Sequence, residues 1–109
     1  MPINYKVLGQ AAPATTTNTD LYTVPSATEA IASTLTVTNR AAAGSTFRVA
    51  VRPAGAAISD EHYIVYDAEI AGNSVATFTI GLTLSATDVV TVYAGSSNLS
   101  FGLFGSEVS

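Results

Sequence analysis

The chain has 109 residues, of which 11% are charged and 48% hydrophobic, with a formal net charge of −4 and no cysteine. That length makes a single domain with one core, and the charged fraction lies well below the roughly 25% of an average soluble domain. The four fixed cations, Lys6, Arg40, Arg48 and Arg52, form no basic stripe, which argues against nucleic acid as a partner; without cysteine there is no disulfide, thiolate nucleophile or thiolate metal site.

Ile3, Tyr5 and Val7 alternate with Asn4 and Lys6, which predicts a first strand ending at Gly9. Residues 10–19, with Pro13 and three consecutive threonines, carry no period and are predicted as a loop. Asp20-Leu21-Tyr22-Thr23-Val24 is a short strand closed by Pro25, whose missing N–H cannot join a ladder. A long third strand runs over residues 30–39, with Ile31, Ser33, Leu35 and Val37 expected on one face and Ala32, Thr34, Thr36 and Thr38 on the other. Residues 40–45 turn into a fourth strand over 46–52, whose Phe47, Val49 and Val51 are expected to face inward while Arg48 and Arg52 share the opposite face.

Residues 56–61 are the one place for a helical turn, too short for an amphipathic face. His62-Tyr63-Ile64-Val65-Tyr66-Asp67 carries bulk on both faces, so a centrally placed strand is expected, with Tyr63 and Tyr66 on opposite sides. Gly72-Asn73-Ser74 then turns into a strand over 75–82, with Ala76, Phe78, Ile80 and Leu82 in phase, followed by strands over 89–94 and 99–104. About eight short strands joined by Gly, Pro, Asn, Asp and Ser turns predict an all-β fold, a single antiparallel β-sandwich of jelly-roll or Ig-like type spanning residues 1–109. The termini, residues 1–19 and 104–109, are expected to extend into assembly contacts.

The densest titratable cluster is Asp60-Glu61-His62, with Asp67 and Glu69 downstream. A carboxylate orienting an imidazole is an acid/base or metal-ligand arrangement, yet the turn-to-strand placement favours a solvated turn. One histidine and no G-x-S-x-G elbow leave a serine hydrolase unsupported. Asn18-Thr19-Asp20 and Asn73-Ser74 fall short of a calcium loop and read as turns bonding their own backbone. No catalytic, cofactor or metal site is expected, and the chain is read as a non-enzyme. Arg48 and Arg52 suit either bidentate pairing with a neighbouring subunit or a cross-strand pair with Asp67, Glu69 or Asp88. Together with Tyr5, His62, Tyr63, Tyr66 and Phe104 they make up the candidate interface. Tyr63, Tyr66, Asp60 and His62 also form a candidate shallow glycan or receptor site.

Four blocks carry a resemblance: Met1-Pro2-Ile3-Asn4-Tyr5-Lys6-Val7-Leu8-Gly9-Gln10, Asp20-Leu21-Tyr22-Thr23-Val24-Pro25, Phe47-Arg48-Val49-Ala50-Val51-Arg52-Pro53-Ala54-Gly55-Ala56, and Glu61-His62-Tyr63-Ile64-Val65-Tyr66-Asp67. With Asn98-Leu99-Ser100-Phe101 and Phe104-Gly105-Ser106-Glu107 near the end, the chain resembles a family of small virion structural proteins of tailed phages, notably those infecting cyanobacteria. The resemblance implies membership of the particle: a capsid decoration or cement protein in the first instance, or else a tail, baseplate or collar component. Implied partners are coat or tail subunits and further copies of the chain, a trimer being favoured. The start of the chain lacks a secretory signal pattern and no stretch approaches the ~20 apolar residues of a membrane span. Synthesis in the cytoplasm is therefore expected, and the resemblance implies a phage host cell and residence on the outer surface of the capsid or tail.

Overall fold

The computed structural model describes residues 3–109. The chain forms eight strands: β1 (Ile3–Ala11), β2 (Thr19–Thr23), β3 (Glu29–Asn39), β4 (Ser45–Arg52), β5 (Tyr63–Ile70), β6 (Val75–Leu84), β7 (Val89–Ala94) and β8 (Leu99–Val108). They pair antiparallel in two four-stranded sheets of order β1-β8-β3-β6 and β2-β7-β4-β5. Within these sheets β1 lies on β8, β2 on β7, β3 on β6 and β4 on β5, the arrangement made by rolling one long hairpin ribbon into two layers. Of the two sandwich types expected, this is the jelly roll.

Side chains from both sheets fill the space between them. Leu35, Val37, Leu99, Phe101 and Leu103 of the first sheet meet Phe47, Val49, Val90 and Val92 of the second, all essentially inaccessible. Phe47 joins the layers most directly, its ring 6.0 Å from that of Phe78 and 6.2 Å from that of Phe101. Close aromatic pairs of this kind add to the area they bury.

Bulges rather than simple alternation decide which residues point inward. In β3 the register shifts between Ala32 and Thr34 against both β6 and β8. Ala30 and Ala32 face the core before the shift, and Leu35, Val37 and Asn39 after it. Ile31, expected on the Leu35 face, is therefore turned out to solvent. Ser33 is the extra residue, and its hydroxyl donates to the Phe104 carbonyl at 3.3 Å. One inserted residue reverses the phase of everything beyond it.

The fifth strand departs further from expectation. It is an edge strand, and against β4 it shifts register twice, with Asp67 at φ 51°. Ala50 is opposite Tyr63 and Val49 is opposite Val65, so Ile64 is an extra residue. Tyr63 and Tyr66 consequently stand on the same outer side, their rings 4.9 Å apart and edge to face. The bulk on both faces of this segment reflects repeated bulging, a common device at exposed sheet edges.

The termini are strands of the domain over the described residues, since β1 pairs along its length with β8; Met1 and Pro2 of the expected N-terminal extension lie outside that range. Gly9, expected to end the first strand, sits inside β1 at a bulge. A Cβ there would lie 2.1 Å from the Leu21 carbonyl oxygen, so only glycine lets β1 cross against β2. Short 3₁₀ turns at Pro53–Gly55 and Asp60–His62 lie between β4 and β5; only the second overlaps the helical turn expected over residues 56–61, of which 56–59 are irregular.

Candidate interaction surface

Among the described residues no group of three or more His, Cys, Asp or Glu is placed to hold a metal ion. The Asp60-Glu61-His62 cluster closes a turn: the Ser59 N–H donates to His62 Nδ1 at 3.2 Å and the His62 N–H to the Ser59 carbonyl at 3.0 Å. Glu61 lies 4.0 Å from His62 Nε2, and hydrogen bonds from the backbone and from Ser59 hold its carboxyl below the ordinary value. The histidine is thus engaged by its own turn. Asp60, Tyr63 and Tyr66 line an open, shallow cleft of about 490 Å³ beside it.

The outer face of the β2-β7-β4-β5 sheet carries Arg48, Arg52, Asp20, Asp67 and Glu69, and both arginines are partnered within the chain. Arg48 donates to Asp67 at 2.6 and 3.3 Å, and its guanidinium lies 4.3 Å from the centroids of both Tyr66 and Tyr93. This is the cross-strand alternative raised from the sequence, with cation–π contacts added. The Asp67 carboxyl is held below the usual range by the Arg48 hydrogen bond. Arg52 donates to Asp20 at 2.9 Å, to Thr91 at 3.0 Å and to the carbonyls of Gly55 and Ala56. Asp88, another candidate partner, instead accepts the backbone N–H groups of Ala54 and Ser85 at 2.9 Å. Thr91 and Val89 are buried although they share this outer register with Arg48 and Arg52, because the segment between β4 and β5 lies across them.

The opposite outer face has a different composition. Register places Ile3, Tyr5 and Val7 of β1 beside Val108, Ser106 and Phe104 of β8. These lie beside Glu29, Ile31 and Thr34 of β3, and Thr83, Thr79, Thr77 and Val75 of β6 continue the face with Thr36 and Thr38. Tyr5 is 85% exposed, Ile3 55%, Val7 and Ile31 48%, and Val75 59%. Among the described residues the only charged side chain that this register assigns to the face is Glu29, at one end. β-Branched residues suit a pleated surface and explain why the strands form; their exposure in one block is what marks this surface, since single exposed hydrophobes are ordinary.

The seven candidate interface residues therefore divide. Tyr5 and Phe104 lie on the uncharged face, Arg48, Arg52, Tyr63 and Tyr66 lie on the charged one, and His62 belongs to a turn. Sequence reasoning did not single out Ile31, whose outward placement depends on the β3 bulge, or Thr77 and Thr79, which alternate with the inward set Ala76, Phe78 and Ile80. It also passed over Glu107, which points between the sheets, accepts a hydrogen bond from the Tyr22 hydroxyl and another from Lys6 Nζ at 3.2 Å. The Tyr22 hydrogen bond, opposed by burial and assisted by Lys6, keeps the Glu107 carboxyl below its ordinary value, while burial first and the carboxylate second push the tyrosine hydroxyl up. Asn39, also buried, bonds the carbonyls of Ala43 and Ala71 and the Ala41 N–H, tying two loops at one end of the roll.

The chain matches no protein family model, no curated protein and no solved structure.

Proposed function

We propose that this chain is a non-catalytic virion structural protein, a capsid decoration or cement protein that stabilises the particle by adding protein–protein contact area on its outer surface. The observation that carries the reading is the outer face of the β1-β8-β3-β6 sheet, on which Glu29, at one end, is the single charged side chain among the described residues. Threonine hydroxyls and methyl groups lose water at far smaller cost than ions do, so this face is suited to burial. The jelly roll fits the reading as an analogy, since the architecture recurs in capsid domains as well as in lectins, although a fold by itself does not assign a function. A tail, baseplate or collar position would use the same surface with a different partner.

Mass spectrometry of purified virions tests the reading: the chain is expected in intact particles at high copy number, and its absence from them would overturn it. A cryo-electron microscopy map that locates the domain would separate capsid from tail.

The cleft of Asp60, Tyr63 and Tyr66 favours one other reading, a glycan- or receptor-binding module, in which an aromatic pair offers apolar area and a carboxylate accepts from sugar hydroxyls. Binding on a glycan array that is lost in Tyr63→Ala would support it, and a silent array would count against it.

A further inference from the structure

We propose that two copies of this chain pack the outer faces of their β1-β8-β3-β6 sheets against each other, sheet on sheet, about a two-fold axis. This deepens the assembly reading and rests on it, naming the first partner of the uncharged face as a second copy of the chain.

Three observations select that occupant. The first is charge: a partner presenting ions would have to strip water from them against hydroxyls and methyls, with only Glu29 to answer. The chain's own opposite face, with Arg48, Arg52, Asp20, Asp67 and Glu69, is disqualified on that ground. The second is hydrogen bonding. Thr34, Thr36 and Thr38 of β3 stand beside Thr79, Thr77 and Val75 of β6, and a hydroxyl both donates and accepts. A block of hydroxyls is therefore its own complement, which is the condition an isologous two-fold contact imposes. The apolar band of Ile3, Tyr5, Val7 and Ile31 supplies large side chains for the same contact.

The third is area. Four strands at ~4.8 Å spacing and about ten residues at ~3.3 Å each give a face of roughly 600 Å². Two such faces bury roughly 1,200 Å², at the lower limit of a specific interface. The pair is accordingly expected to be reversible and concentration-dependent. Glu29 lies at one end of the face, next to Val108 and the first described residue of β1, so a two-fold pairing can leave it at the rim, in water. A face-to-face contact of this kind closes at two copies, unlike the trimer favoured from the resemblance.

Sedimentation of the isolated full-length chain over a wide concentration range provides the test. The expected result is a monomer–dimer equilibrium that weakens at least tenfold in Ile31→Glu and in Thr79→Glu and is unchanged in Arg48→Ala. A chain that stays monomeric throughout, a trimer, or a dimer lost in Arg48→Ala but kept in Ile31→Glu would overturn the proposal. Concentration-dependent hydrogen-exchange protection in the wild type guards against a misfolded variant: protection is expected along β1, β3 and β6, and protection confined to β4 and β5 would also overturn it. The virion measurement is independent. A monomeric chain present in particles refutes self-docking and leaves the structural role standing, whereas a dimer missing from particles does the reverse.

Discussion

On the outer face of the β1-β8-β3-β6 sheet, Thr34, Thr36, Thr77 and Thr79 stand together with no ion among them; on the other outer face Arg48 and Arg52 each hold an aspartate. Both surfaces come from strands whose polar residues alternate with apolar ones. They differ in what happens to the polar side chain once it is outside. The arginines bond within the chain, stack on tyrosines and brace a connecting segment that covers Thr91 and Val89. The threonines have no such task. A face that completes its own interactions contributes to folding and has little left to offer a neighbour, whereas a neutral face contributes little to the monomer and remains available for a partner.

Perturbing what both faces depend on is expected to have the largest effect. Phe47 sits between the layers, packed on Phe78 and Phe101 of the other sheet. Phe47→Ala should cost about 3–5 kcal/mol, as for other large-to-small core changes, and lower the urea midpoint without favouring either face. A loss confined to the charged side would mean that the sheets hold their shapes separately.

Glu107→Gln comes next, because it weakens the acceptor that serves both Tyr22 and Lys6. A destabilisation of about 1–3 kcal/mol is expected, the range for losing a charge-assisted bond at a buried group. The folded state holds this carboxyl below its ordinary value of 4.5, so the unfolded chain binds the proton more readily. The stabilisation is present above the ordinary carboxyl value and is lost as pH falls through the lower, folded one. Urea unfolding across that acidic range should show wild type and Glu107→Gln converging; a constant difference would rule out Glu107 as the source.

How much of this was legible in the sequence follows from the same elements. The all-β class and the inward set Phe47, Val49, Leu35 and Val37 came from alternation, because period two survives wherever a strand is regular. Ile31 and the Tyr63/Tyr66 pair were misplaced because a bulge leaves no compositional mark while it reverses the phase. Glu107 did carry a signal: it falls in step with Leu99, Phe101 and Leu103, so a carboxylate stood at an inward position of the last strand. Its partner Tyr22 comes from the other sheet, and that pairing depended on strand order. The neutral face was divided among four strands far apart in the chain, and only the jelly-roll order assembles it.

Smaller effects separate the two faces directly. A double-mutant cycle on Arg52 and Asp20 should return a coupling of about 0.2–1 kcal/mol, since Asp20 is largely exposed. The coupling should shrink in high salt. A coupling near zero would reduce the charged face to packing alone.

The smallest effect on the monomer should come from Tyr5→Ser, measured at the lowest workable concentration. Tyr5 is 85% exposed, and no hydrogen bond ties its hydroxyl to the described residues. Removing its ring should therefore change the unfolding free energy by no more than about 0.5 kcal/mol. If the neutral face is spoken for only by a second copy, the same substitution should cost progressively more as protein concentration rises, because binding to the folded state adds stability by mass action. Arg52→Ala should show a penalty that does not grow with concentration, since its partners are in its own chain. Equal concentration dependence in the two variants would erase the distinction between a face that folds the molecule and a face that joins it to others.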